Sequence, residues 1–232
     1  MPAAKPATAV SLDASLTVSA DERSWVSRGA HKLIGALDAF EVPVDGLRCL
    51  DAGASTGGFT EVLLDRGAAE VIAADVGYGQ LAWSLRSDAR VTVVERTNVR
   101  TLTAELIGGP VDLVVADLSF ISLATVLPAL TSCASQDADI VPMVKPQFEV
   151  GKERVGAGGV VSDPELRVDA VLSVAHRAAQ LAWHTVDVTA SPLPGPSGNV
   201  EYFLRLRART ANPLNGPALE QAVRRAVTEG PQ

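Results

Sequence analysis

The run from Asp51 to Thr60, Asp-Ala-Gly-Ala-Ser-Thr-Gly-Gly-Phe-Thr, sets glycines and hydroxyls between an apolar strand and an apolar helix. Such a junction leaves free backbone N–H groups and the positive end of a helix dipole beside a loop that a ligand can approach closely. The spacing narrows the ligand. A dinucleotide fingerprint needs G-x-G-x-x-G, whereas Gly53 is followed by Ala54 and Ser55 with no glycine until Gly57. A nucleoside-like ligand over the first strand fits better than a pyrophosphate, with a tight turn that holds nothing as the competing reading. About twenty residues on, Asp75 closes Val-Ile-Ala-Ala-Asp, where a carboxylate can accept hydrogen bonds from both ribose hydroxyls of an adenosine. Lys32, Asp117, Lys145 and Glu201 fall at four further separate positions, and each taken singly reads equally well as half of a surface salt bridge.

These residues depend on the elements that carry them. Ser27 is expected to cap a helix with Leu33, Ile34, Leu37 and Phe40 on one face, ending before Pro43. Strands are expected near 48–52, 70–75, 91–95, 111–116 and 139–145, with helices near 58–66, 79–87 and 122–131 between them. That alternation predicts an α/β fold, a parallel sheet with helices on both faces. Residues 146–159 hold too much glycine and charge for a core element and read as a mobile lid. Asp163-Pro164 opens an amphipathic helix to about Leu181. Strands near 184–190 and 200–207 then form an antiparallel hairpin, and a helix near 217–228 follows.

With 232 residues, 47% of them hydrophobic, the chain can bury a substantial core as one domain. No apolar run is long enough to span a bilayer and no signal peptide is visible. Cys49 and Cys133 lie in apolar segments and form no spaced pair, which suits a reducing, cytoplasmic setting. His31, His176 and His184 are too scattered for a metal cluster, so no metal is expected. The net charge of −7 argues against binding nucleic acid by bulk electrostatics, although a local basic patch remains compatible with it.

The spacing D-x-G-x-S-x-G resembles the first motif of S-adenosylmethionine (SAM) methyltransferases. The four ionisable residues stand in Ser27-Arg-Gly-Ala-His-Lys32, Val115-Ala-Asp117-Leu-Ser-Phe120, Met143-Val-Lys145-Pro-Gln-Phe148 and Asn199-Val-Glu201-Tyr-Phe-Leu204. In this order the chain resembles the FtsJ-like ribose 2′-O-methyltransferases, whose active site is a Lys-Asp-Lys-Glu tetrad. It resembles more closely the TlyA family of ribosomal RNA 2′-O-methyltransferases, also called hemolysin A proteins. The likeness runs from about Arg23 to Arg207 and takes in Arg23-Ser-Trp-Val26 and Gly158-Gly-Val-Val161.

The resemblance implies a Rossmann-like SAM-dependent methyltransferase fold, a mostly parallel seven-stranded sheet with an antiparallel last strand. It implies Lys32, Asp117, Lys145 and Glu201 as the catalytic set, with Lys145 as base or hydroxyl-polarising group. A ribose hydroxyl is a weak nucleophile and must lose its proton as it attacks in line with the departing sulfur. SAM would lie against Asp51, Gly53, Ser55, Thr56, Gly57, Gly58, Phe59, Asp75, Val76, Asn98 and Asp117. Arg23, Ser27, Arg28 and Lys152 would position RNA. The implied partner is ribosomal RNA of the 16S or 23S type within ribosomal subunits, with cytidine as target, and the chain is expected to act as a monomer. Because TlyA proteins carry an N-terminal S4-type RNA-binding domain, residues 1–22 read as the linker from such a domain to a methyltransferase domain at 23–232.

Other functions fit less well. A base-nitrogen methyltransferase resembles [DN]-P-P-[FY] after the fourth strand, and Asp117-Leu-Ser-Phe120 lacks both prolines. A cytosine-carbon enzyme needs an activated cysteine, which neither Cys49 nor Cys133 resembles. Small-molecule O-methylation is the runner-up. A pore-forming hemolysin lacks a spanning helix or a series of alternating barrel strands. An assembly factor without catalysis would have no need of an intact tetrad.

Overall fold

In the computed structural model, the described residues are 24–231. The expected domain boundary at Arg23, the linker at 1–22 and Arg23 itself lie outside them. Seven strands form one sheet in the order β3-β2-β1-β4-β5-β7-β6. They are β1 (Arg48–Ala52), β2 (Glu70–Ala74), β3 (Val91–Val94), β4 (Val111–Ala116), β5 (Ala134–Val144), β6 (His184–Ala190) and β7 (Tyr202–Arg207). The pairs among β1 to β5 are parallel, and β7 runs antiparallel to both β5 and β6. The antiparallel last strand expected from the resemblance is therefore present.

The central strands read as unbroken apolar runs because both faces of the sheet are covered. Successive side chains alternate between two cores. Leu50, Val114, Ile140, Tyr202 and Leu204 point to the face packed by α4 (Leu123–Cys133), α6 (Pro164–Gln180) and α7 (Gly216–Glu229). Cys49, Leu113, Val115, Val141 and Phe203 point to the face packed by α1 (Gly29–Phe40) and α2 (Gly58–Asp65).

Three local expectations are corrected. Ser27 does not cap α1: Arg28 occupies that position and no side chain bonds to the helix end. The helix expected over 79–87 shrinks to α3 (Trp83–Arg86), since residues 75–80 are a turn folded around the carboxylates of Asp75 and Glu95. The segment at 146–159 is tied down by short elements, α5 (Pro146–Glu149) followed by two 3₁₀ turns. Val150 is buried with Val161 and Ala170, and the buried Asn199 side chain donates to the Gly159 carbonyl at 2.8 Å and accepts from Val161 N at 2.9 Å.

Strand β1 lies between β2 and β4, so the chain leaves it in opposite directions on its two sides. In open α/β sheets this reversal opens a crevice beyond the carboxyl ends of the strands. Asp75, Asp117 and Lys145 each follow directly on the last residue of β2, β4 and β5, and Glu201 directly precedes β7, whose antiparallel direction brings its start to the same edge.

Candidate active site

The Asp51–Thr60 loop is shaped by backbone that only glycine adopts freely. Gly53 has φ of +90°, and its N–H donates to the Ala74 carbonyl at 2.8 Å. A Cβ there would stand 2.3 Å from the Asp117 carbonyl oxygen. The loop therefore lies directly against the start of the 117–122 segment, which Asp117 N fastens to β1 by donating to Ala52 O at 3.0 Å. Gly57, at φ +102°, opens α2.

Two cavities meet at this point. One, of about 330 Å³, is lined by Ser27, Arg28, the glycine loop, Lys32, Asp117, Ser119, Lys145 and Glu201. The other, of about 500 Å³, is lined by Asp75, Val76, Gln80, Asn98 and the 117–121 loop. They share Gly53, Ser55, Asp117 and Ser119.

Within the first cavity the four ionisable residues form two ion pairs. Lys32, on the buried face of α1, pairs with Glu201, and their side chains are 9% and 2% exposed. Lys145 Nζ lies 2.6 Å from Asp117 Oδ1 and donates to Ser119 Oγ at 3.1 Å. Two lysines and two carboxylates thus line one cavity, and the Lys32–Glu201 pair is shielded from water, where charge pairs interact more strongly than in bulk solvent.

In the second cavity the Asp75 carboxylate accepts from Ser55 N at 2.9 Å and from Gly77 N at 2.6 Å. Each oxygen keeps a further lone pair, since an ionised carboxylate can accept about four hydrogen bonds. Asn98 accepts from Arg100 N at 3.0 Å through its side-chain oxygen, which fixes a 3₁₀ turn beside the cavity.

Other expected residues divide. Thr56, Gly58 and Phe59 line the first cavity, whereas Gly57 and Asp51 line neither. Asp51 is fully buried beneath the loop and accepts from Thr60 Oγ1 at 2.7 Å, while its second oxygen has no partner. Ser27 and Arg28 line the first cavity. Lys152 stands apart, on a neighbouring cavity of about 630 Å³ with Phe120, Gln147 and Phe148.

Burial pushes the Asp51 carboxyl up to about 7, with the nearby Asp117 and Asp75 charges adding to the shift and the Thr60 hydrogen bonds opposing it. An acid whose folded pKa exceeds its unfolded value of 3.8 binds its proton more tightly in the folded state. That stability is complete below about pH 4 and is lost as pH rises through about 7. Asp51→Asn keeps the shape without the titration. Its stability relative to the unmodified chain is expected to rise between pH 5 and pH 8, as read by urea denaturation at both values; equal differences at the two would remove Asp51 as the source.

Burial, with the Asp112 and Asp51 charges, raises the Cys49 thiol to about 12, and burial also raises Cys133. Neither supplies a thiolate nucleophile. Among the described residues no cluster of His, Cys, Asp or Glu could hold a metal ion, and no helix is long and apolar enough to cross a membrane.

The profile of FtsJ-like methyltransferases matches residues 25–208. This chain belongs to the FtsJ-like methyltransferase family. It is 73% identical to the 16S/23S rRNA (cytidine-2′-O)-methyltransferase TlyA of Mycobacterium tuberculosis across all of this chain and 87% of that protein. A crystal structure from Lactococcus lactis described as a hemolysin superposes with a TM-score of 0.79 at 40% identity, covering 87% of this chain and 97% of that one. The fold is shared more distantly by a SAM-dependent methyltransferase from Mesorhizobium loti, with a TM-score of 0.53 at 15% identity over 75% of this chain and 96% of the other.

Sequence reasoning missed Ser119, Phe120 and the prolines of the β6–β7 loop as members of this FtsJ-like site. Ser119 and Phe120 stood in Asp117-Leu-Ser-Phe120, read as the context of Asp117 and for the prolines it lacks, with no role given to either. Phe120 is 91% exposed at a left-handed φ of 64° and packs on Phe148 with ring centroids 5.4 Å apart. Pro194 and Pro196 line the first cavity; a Pro-rich loop read only as a hairpin connection gave no signal of that closeness.

Proposed function

We propose that the chain transfers the methyl group of SAM to a ribose 2′-hydroxyl of ribosomal RNA, with cytidine as target, as in the name of its mycobacterial relative. The observation that carries this reading is the pair of cavities joined at Asp117. One offers Asp75 and Asn98 to an adenosine, and the other offers two lysine–carboxylate pairs to a hydroxyl.

SAM supplies a methyl group on a positively charged sulfur. The residues present suit it: Asp75 retains lone pairs for ribose hydroxyls, the start of α2 favours a carboxylate, and Asp117 sets a negative charge where the two cavities meet. Lys145 is our choice for the group that polarises the 2′-hydroxyl or takes its proton. With SAM bound, the oxygen would bond to the methyl carbon as its O–H bond breaks, the electron pair of the C–S bond staying on sulfur in the leaving S-adenosylhomocysteine. Asp117 holds Lys145 and stabilises the ammonium that forms. Lys32 and Glu201 form the second ion pair of the cavity, and Ser27 and Arg28 on it, with Lys152 on a neighbouring cavity, are our candidates to meet phosphate or ribose of the approaching strand.

The test is incubation of the chain with purified ribosomal subunits and methyl-labelled SAM, followed by nuclease digestion and mass spectrometry of the nucleosides. 2′-O-Methylcytidine is the expected product. Label on a base, or on a small molecule in preference to rRNA, would overturn the proposal.

A further inference from the structure

Ser119 lies outside the Lys-Asp-Lys-Glu set, yet it touches Lys145 and lines both cavities. Its placement is rigid. Leu118 before it is buried in the larger core, Asp117 is hydrogen-bonded to β1, and Ser122 three residues on caps α4 while donating to Glu149 at 2.6 Å. Between these anchors the chain turns through the left-handed Phe120, so the Ser119 side chain stays at the mouth of the site.

The chemistry of a lysine base gives this contact a purpose. An uncharged amine carries two N–H bonds and one lone pair, and only the lone pair can take a proton. A single acceptor fixes one N–H and leaves the group free to swing the lone pair between the two remaining directions. Asp117 and Ser119 together supply two acceptors, at 2.6 and 3.1 Å from Nζ. With two oxygens on Nζ instead of one, the directions open to the nitrogen are fewer.

We infer that Ser119 is a positioning residue of the methyl transfer: its hydroxyl accepts a hydrogen bond from Lys145 Nζ and, with the Asp117 carboxylate on the same nitrogen, fixes the direction in which Nζ meets the substrate hydroxyl. The inference rests on the proposed 2′-O-methyl transfer and names a residue that the tetrad does not contain. It acts on the chemical step and leaves the hold on SAM intact, since the bond it makes is to Lys145.

The test compares Ser119→Ala and Ser119→Thr in the whole chain. With ribosomal subunits as substrate, Ser119→Ala is expected to lower kcat by roughly tenfold to a hundredfold, while its calorimetric affinity for SAM stays at the unmodified value. Ser119→Thr, which keeps the hydroxyl, restores kcat. In parallel, carbon relaxation at the Lys145 Cε is expected to report a looser side chain in Ser119→Ala and a fixed one in Ser119→Thr, with no substrate present. Unchanged kcat in Ser119→Ala, a loss matched entirely by weaker SAM binding, or a threonine variant no better than alanine overturns the inference. Methylation of a base by the unmodified chain would instead overturn the proposed function, and the relaxation result would still decide whether Ser119 holds Lys145.

Discussion

Replacing Lys145 with alanine is expected to lower kcat for methyl transfer by about 10²- to 10⁴-fold, the usual contribution of a positioned general base, with SAM still bound. The side chain stands at the end of β5, only 8% exposed, with Asp117 and Ser119 on it and the first cavity before it. None of the groups placed to hold adenosine depends on it: Asp75, Ser55 and Gly77 hydrogen-bond among themselves. Stability should change little, because Asp117 is 27% exposed and water can replace the lost partner. Lys145→Arg separates the two roles a lysine could have. Arginine keeps the positive charge but is not deprotonated in proteins, so a base requirement leaves it nearly as slow as alanine. Single-turnover transfer to ribosomal subunits reads the effect; an arginine variant near the original rate would assign Lys145 to electrostatics alone, and an alanine variant within a few-fold would remove it from the chemistry.

The second large effect is on stability. Lys32→Met is expected to destabilise the fold by about 3–5 kcal/mol, because it leaves the Glu201 carboxylate as an uncompensated charge in a buried site. Glu201 is 2% exposed, and its loop is packed closely enough that a Cβ on Gly195 would lie 2.8 Å from Oε1. Solvent has little access to repair the loss. Adding Glu201→Gln removes the stranded charge, so the double variant should recover most of the stability in urea denaturation. Its methyl transfer should stay low, since the cavity has lost both groups of its second ion pair. A Lys32→Met chain as stable as the original would show that the pair is solvated, and a double variant with full activity would place the pair outside the reaction.

The legibility of this chain was uneven, and for physical reasons. Strand β1, the glycine loop and α2 were readable because each rests on local rules: an apolar run, φ values that only glycine adopts freely, and helical spacing at Phe59, Val62 and Leu63. Helix α3 was overextended because its expected start near residue 79 falls in a turn, where the Asp75 and Glu95 carboxylates capture the Gly77 and Gly79 N–H groups. Ser27 was misplaced for a similar reason. A serine before an apolar periodic run usually caps it, yet here a Cβ on Gly58 would meet the Ser27 Oγ at 2.1 Å. The side chain serves the junction of α1 with the glycine loop.

By itself the sequence determined the alternation of strands and helices, the loop that excludes a dinucleotide, and the order of the four ionisable residues. Those features are carried by neighbours in the chain, so local periodicity and spacing suffice to reveal them. Only the tertiary structure decided how the four residues pair, Lys32 with Glu201 across 169 positions and Lys145 with Asp117. It also decided that Asp51 turns away from the cavities and that Ser119 joins the site. Each of these is set by which strand ends the sheet order brings to one edge. That order is fixed by packing between elements far apart in sequence, where spacing along the chain holds no distance information.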